Sequence, residues 1–104
     1  MEKKSKAETF VGFAIKSGKC RIGTGAVETL KHAEIVILCK TASENTLKQA
    51  KKLARRLGAK LLMTAEKALS QMTYKENSKI MAVTDAALAK AIVENGEKEF
   101  VILE

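Results

Sequence analysis

Residues 35–39, the core of AEIVILCK, are five consecutive apolar side chains with no polar face, and this run restricts the folds open to the chain. A strand built from it must be covered on both sides, which requires helices above and below a sheet. The flanking sequence supplies them. TASEN offers Ser43 and Asn45 as competing N-caps for a long helix, TLKQAKKLARRLG, in which Leu47, Ala50, Leu53, Ala54 and Leu57 recur at helical spacing and Gly58 is the stop. AKLLMT then reads as a strand, AEKALSQM as a short helix, TYKENS as a surface loop and KIMAVT as another strand. Thr84 or Asp85 caps a last helix, DAALAKAIVEN, which Gly96 ends before a final strand in EFVILE.

Upstream, residues 7–17 place Phe10, Val11, Phe13 and Ala14 along one side of a helix ending at Gly18, and all three phenylalanines, Phe10, Phe13 and Phe100, are expected in the core. KCRIG alternates as a half-exposed strand, followed by a GTG turn and a helical AVETLKH. Helices alternating with strands predict an α/β fold, a three-layer α-β-α sandwich around a mixed sheet of four to five strands, with the strand order left open. With 104 residues, no proline and no repeat, the expected organisation is a flexible basic N-terminus (1–6) and one domain (7–104).

The net charge of +7 is unevenly distributed. Residues 1–79 carry 17 Lys and Arg against 7 Asp and Glu, whereas residues 80–104 carry 2 against 5. Such asymmetry points to a surface that meets a polyanion, the plain alternative being lysines that only solvate helices. No run is long enough to span a membrane and none follows the N-terminal lysines as a signal peptide would, so a cytoplasmic protein is expected. Cys20 and Cys39 have neither metal-ligand spacing nor disulfide-scaffold density, and Cys39 is expected to pack as a small hydrophobe.

Several chemistries can be tested against the residues. GKCRIGT has the glycine spacing of a P-loop, but Thr24 stands where a lysine must reach the phosphates. GTGAVE begins like a dinucleotide fingerprint, yet Glu28 occupies the position of the third glycine. Metal or nucleophilic catalysis would draw on clustered His, Cys, Asp or Glu, and the chain has one histidine, His32, expected at a helix end, with Cys20 and Cys39 its only thiols. No enzyme activity, cofactor or metal is therefore expected.

Nucleic-acid binding fits better. The small-residue segment Gly23, Thr24, Gly25, Ala26 lies between Lys16, Lys19 and Arg21 on one side and Lys31 on the other, so a backbone free of bulky side chains is flanked by cations. The plain reading is that the glycines only shape a turn. Aromatic residues are too few for a base-stacking platform.

The order GFAIKSGKCRIGTGAVETLKHAEIVILCKTASENT, then LLMTAEKALSQM, then MAVTDAALAKAI, resembles the L-seven-Ae and L-thirty-e ribosomal family of kink-turn RNA binders, closest to its YlxQ-like bacterial subgroup. The likeness runs from about Phe10 to Ile92, with SENT and VTDAALA its most telling pieces. It implies an α-β-α sandwich with an RNA-binding edge made of two loops. In the first, relatives carry a Gly-Thr-Asn-Glu or Gly-Thr-Lys-Gln motif and a following lysine, which meet the sheared G·A pairs of a kink-turn. Gly23 and Thr24 match, while Gly25 and Ala26 stand at the base-reading polar positions; a register starting at Gly25 instead keeps Glu28 and Lys31 and puts Val27 at the asparagine-like position. In the second loop a Leu-Gly pair caps the protruding nucleotide; here Ala68, Leu69, Ser70 and Gln71 stand there, with Ser70 in place of glycine. The expected function is binding of structured, kink-turn-like RNA, ribosomal or regulatory, by a monomer in a ribonucleoprotein setting that includes the ribosome. The alternative is a protein-interaction or assembly module that has lost kink-turn specificity.

Overall fold

The computed structural model describes residues 5–73, 75 and 78–103. Residues 1–4 of the expected basic N-terminus and residues 74, 76 and 77 of the expected TYKENS loop lie outside the described residues. In chain order the elements are α1 (Lys6–Lys16), β1 (Cys20–Ile22), α2 (Thr24–Glu28), β2 (Ile35–Leu38), α3 (Glu44–Leu57), β3 (Lys60–Thr64), α4 (Leu69–Thr73), β4 (Ile80–Val83), α5 (Ala86–Asn95) and β5 (Phe100–Ile102). The strands form one mixed sheet in the order β1-β4-β2-β3-β5. Only β2 and β3, joined through α3, run parallel; β4 is antiparallel to both β1 and β2, and β5 is antiparallel to β3.

The inner strands β2 and β4 are buried along their whole length. Because successive strand residues point to opposite faces, each strand divides between two cores. Ile35, Ile37, Met81 and Val83 join Val11, Ala14, Leu69, Met72 and Ile92 in the layer holding α1, α4 and α5. Val36, Leu38, Ile80 and Ala82 join Val27, Ala50, Leu53, Ala54 and Leu57 in the layer holding α2 and α3. The three-layer sandwich is thus a consequence of two-sided strands meeting one-sided helices. Among the described residues no helix is long and apolar enough to cross a membrane.

Local chemistry sets the helix limits. The Ser5 hydroxyl accepts from the Glu8 N–H while the Glu8 carboxylate accepts from the Ser5 N–H, a capping box opening α1. Of the competing caps, Ser43 takes the Thr46 N–H at 3.2 Å and Asp85 the Leu88 N–H at 3.0 Å, interactions worth about 1 kcal/mol each. Gly58 closes α3 in the left-handed region at φ 71°.

Three expectations are corrected. Phe13 is 50% exposed rather than core. Ala7, Val11 and Ala14 define the buried stripe of α1, and Phe13, two residues past Val11, lies about 200° around the helix; its ring meets Phe10 edge-to-face at 6.1 Å. The helix expected over AVETLKH is Thr24–Glu28, because Gly23 alone makes the corner, at φ 100°, and Arg56 takes the Glu28 and Leu30 carbonyls just past the helix end. The helix expected over AEKALSQM begins only at Leu69: the Ala65 N–H pairs with the Glu99 carbonyl at 2.9 Å, and Lys67 reaches Glu8 at 2.9 Å, which hold residues 65–67 out of helix.

Gly96 is the glycine with no room for a side chain. A Cβ there would lie 2.6 Å from the Ile92 carbonyl oxygen and 2.6 Å from the Phe100 ring. Gly96→Ala is expected to destabilise the protein by about 1–3 kcal/mol, the usual cost of overpacking, read as a lowered urea midpoint with an unchanged slope.

Candidate nucleic-acid interface

Strand directions bring several connections to one end of the sheet. The Gly23 N–H donates to the Ile80 carbonyl at 2.9 Å, the Cys39 N–H to the Lys79 carbonyl at 2.7 Å, and the Leu69 N–H to Cys39 Sγ at 3.3 Å. The start of α2, the loop after β2, the start of α4 and the segment leading into β4 therefore share this end. Arg21, on edge strand β1 opposite Ala82, is exposed and turned toward the α2 face, with its guanidinium held by the Cys20 carbonyl at 2.9 Å. Ile15, Cys20, Arg21, Ile22, Ala26, Thr73 and Lys75 surround an open hollow of about 330 Å³ that wraps around the β1 edge. Among the described residues its wall contains two cations, Arg21 and Lys75, and no carboxylate.

The residues singled out from sequence divide between the two ends. Arg21 and Ala26 line the hollow, and Gly23, Thr24 and Gly25 lie between them in the chain, with Thr24, Gly25 and Ala26 forming the first turn of α2 rather than a turn before it. Lys16 and Lys19 belong to the opposite end: they line a separate depression with Phe13, Ser17, Asp85 and Leu88, and the Lys19 carbonyl accepts from Thr84 at 2.9 Å. Lys31, just past α2, is also at that far end, where the Glu34 N–H meets the Val83 carbonyl. Ala68, Leu69, Ser70 and Gln71 are at the hollow's end of the sheet but on the α1/α4/α5 side. Leu69 is fully buried, the Ala68 N–H donates to Gln71 Oε1 at 2.8 Å, and only Ser70 and Gln71 present side chains outward. His32, expected at the carbonyls of a helix end, instead pairs with Glu34 Oε1 at 3.0 Å, because α2 stops four residues earlier.

The sequence reading missed Lys75, Lys79 and Arg56. Lys79 Nζ donates to Thr41 Oγ1 at 2.6 Å, which ties the segment before β4 to the loop after β2. Arg56 donates to the Leu30 and Glu28 carbonyls at 2.9 and 3.0 Å and fixes the end of α2. None of these bonds follows from spacing, since each joins segments more than 25 residues apart. Lys75 had a legible signal, a lone cation in a polar loop, but nothing that tied it to β1.

The thiols differ in environment. Burial pushes the Cys20 thiol up, against the weaker pull of Arg21 and Lys75. At Cys39 burial also pushes up, but the Thr41 hydroxyl, the Leu69 and Thr41 N–H groups and the Lys79 charge together hold it below its ordinary value. A roomier hollow of about 640 Å³ lies elsewhere, between Ser5, Glu8, Glu66, Lys67, Met72, Lys98 and Glu99, and its mixed charges, including the Lys67–Glu8 pair, do not suit a polyanion. Among the described residues no group of three His, Cys, Asp or Glu could hold a metal ion, and no buried side-chain nitrogen or oxygen lacks a hydrogen-bond partner. No protein-family model matches the chain, and no curated protein matches it.

Two consequences can be measured. Gly25 has an ordinary φ and open space where a methyl group would sit, so Gly25→Ala should leave stability unchanged or raise it by up to about 1 kcal/mol, whereas Gly23→Ala, at φ 100°, should cost about 1–3 kcal/mol; thermal melts of the two variants separate them. Because the folded Cys20 thiol is raised, its contribution to stability is fully present below the ordinary value of 9.0 and is lost as pH rises through the raised folded value. Cys20→Ala should therefore flatten the decline in urea midpoint measured between about pH 8 and 10.5, relative to the unsubstituted chain.

Proposed function

We propose that the chain binds structured RNA at the β1 edge, through Arg21, the first turn of α2 and Lys75. The observation that carries this reading is the open hollow in which β1, α2 and the segment after α4 meet, with Arg21 and Lys75 on its wall and the small residues Gly25 and Ala26 beside it. Arginine offers a planar fork and lysine a mobile point charge for phosphate. A methyl group or less at positions 25 and 26 lets a nucleic-acid backbone approach the helix closely. The resemblance to kink-turn binders supports the same surface, since its first loop corresponds to Gly23 and Thr24. Where relatives read bases with polar side chains, Gly25 and Ala26 offer none, and each missing base interaction removes about 1–3 kcal/mol of discrimination by analogy with base readout in DNA. Recognition then rests on shape and phosphates.

A second reading, a protein-interaction module, draws on a different surface. Val101 and Ile102 on edge strand β5 are 46% and 56% exposed, within the acidic last quarter of the sequence.

Calorimetric titration with a kink-turn RNA, and with a control whose sheared G·A pairs are replaced by Watson–Crick pairs, separates the readings. Tighter binding to the kink-turn is expected, weakened at least about tenfold by Arg21→Ala with Lys75→Ala, and with a log-log salt slope reduced by about 0.7–0.9 for each phosphate no longer neutralised. Equal, salt-sensitive binding to both RNAs would remove kink-turn specificity; no binding to either would favour the interaction module.

A further inference from the structure

The solvent face of α3 is a row of cations. Lys48, Lys51, Lys52 and Arg55, at i, i+3, i+4 and i+7, share one side of the helix and are exposed, while Ala50, Leu53, Ala54 and Leu57 on the other side are buried against the sheet. Helices that only need solvation usually interleave signs, with Glu placed four residues before Lys. Here the one acidic residue of α3, Glu44 in its first turn, stands four residues before Lys48, but no acidic residue precedes Lys51, Lys52 or Arg55 at that spacing, and Lys48–Lys52 and Lys51–Arg55 are like-charge pairs at i, i+4. Among the described residues Lys48, Lys51 and Lys52 have no ion-pair partner. The fold thus holds these three lysines within about 6 Å of helix axis, at 1.5 Å per residue, against their mutual repulsion.

We infer that this face is a second nucleic-acid surface, which docks the phosphate backbone of a base-paired stem without reading its sequence. Roughly 10 Å of duplex axis, the length of the row, carries about six phosphate charges, about half of which Lys48, Lys51 and Lys52 can neutralise. The α3 surface has no aromatic residue on which an unpaired base could stack, which disfavours a single strand. Three of the four cations are lysines, which satisfy phosphates as point charges and impose little base geometry. An anionic membrane would also attract the row, but a helix that lies in a bilayer interface inserts its apolar face, and that face of α3 is occupied by the sheet. The inference extends RNA binding to a separate surface and does not require kink-turn recognition at the β1 edge.

The test uses the full chain, a perfect RNA duplex of about 20 base pairs with no sheared pairs, and vesicles containing phosphatidylserine. Lys48→Gln, Lys51→Gln and Lys52→Gln are combined in one variant; a charge-matched control combines Lys6→Gln, Lys90→Gln and Lys98→Gln. Thermal melts establish that both fold. The α3 variant is expected to bind the duplex at least about tenfold more weakly near 0.1 M salt, and to lower the magnitude of the log-log salt slope by about 2, as three fewer neutralised phosphates imply. The control should stay within about threefold of the unsubstituted chain. The inference is overturned if the α3 variant and the control lose affinity equally, if the unsubstituted chain does not bind the duplex, or if the α3 lysines prove to be needed for vesicle binding and not for duplex binding. Since Arg21 and Lys75 are retained throughout and the probe lacks a kink-turn, failure of the β1-edge reading leaves this result interpretable.

Discussion

Everything in this structure depends on the two-sided burial of β2 and β4. Val36, Ile37, Met81, Ala82 and Val83 are wholly inaccessible to solvent, and the antiparallel register that pairs Ile37 with Met81 and Val36 with Ala82 keeps like-facing residues together across the pair. Slipping that register by one residue would turn every one of these side chains to the other face and unmatch both helical layers. With both faces used for packing, polar chemistry is confined to the ends of the sheet, its edges and the outer sides of the helices. The basic residues are found in those places.

The outer layer of α2 and α3 shows how such a surface is made rigid. A five-residue helix has too few internal hydrogen bonds to persist alone, so α2 is held from outside. Val27 is fully buried in the layer shared with α3, and the Arg56 guanidinium grips the carbonyls of Glu28 and Leu30. A cation at these carbonyls also sits at the favourable pole of the helix. The last turn of α3 therefore fixes where α2 ends, and with Gly23 at the other limit it fixes where Thr24, Gly25 and Ala26 stand.

How much of this was legible depended on the range over which each feature is determined. The α/β architecture and the strand-helix order could be read because each element carries its own period: the unbroken IVIL run, the apolar stripe of α3, and the caps Ser43, Asp85 and Gly58 are all local. The errors share a cause, which is that long-range interactions overrode local pattern. Phe13 has the composition of a core residue, but the packing of α1 is set by Ala7, Val11 and Ala14. Residues 65–67 have helical propensity, but Glu99 and Glu8 pull them into the sheet edge and an ion pair. The site was half legible for the same reason. Proximity in sequence grouped Lys16, Lys19 and Lys31 with the glycines, whereas β1 and α2 each carry the chain away from one end of the sheet to the other.

That separation changes what the positive charge can mean. Had Lys16, Lys19 and Lys31 surrounded Gly23, the chain would present one concentrated anion site. Instead the cations are spread over the β1 edge, the outer face of α3 and the far end of the sheet, where Lys16 and Lys19 share a depression with Asp85. Compact anionic ligands are bound by several convergent donors, and the hollow at the β1 edge brings two cations, Arg21 and Lys75, to its wall. A long polyanion, in contrast, gains from separated rows of charge, since each phosphate neutralised releases counterion independently and the contributions accumulate along its length. Spread cations on a rigid, two-core scaffold favour an extended ligand over a small one.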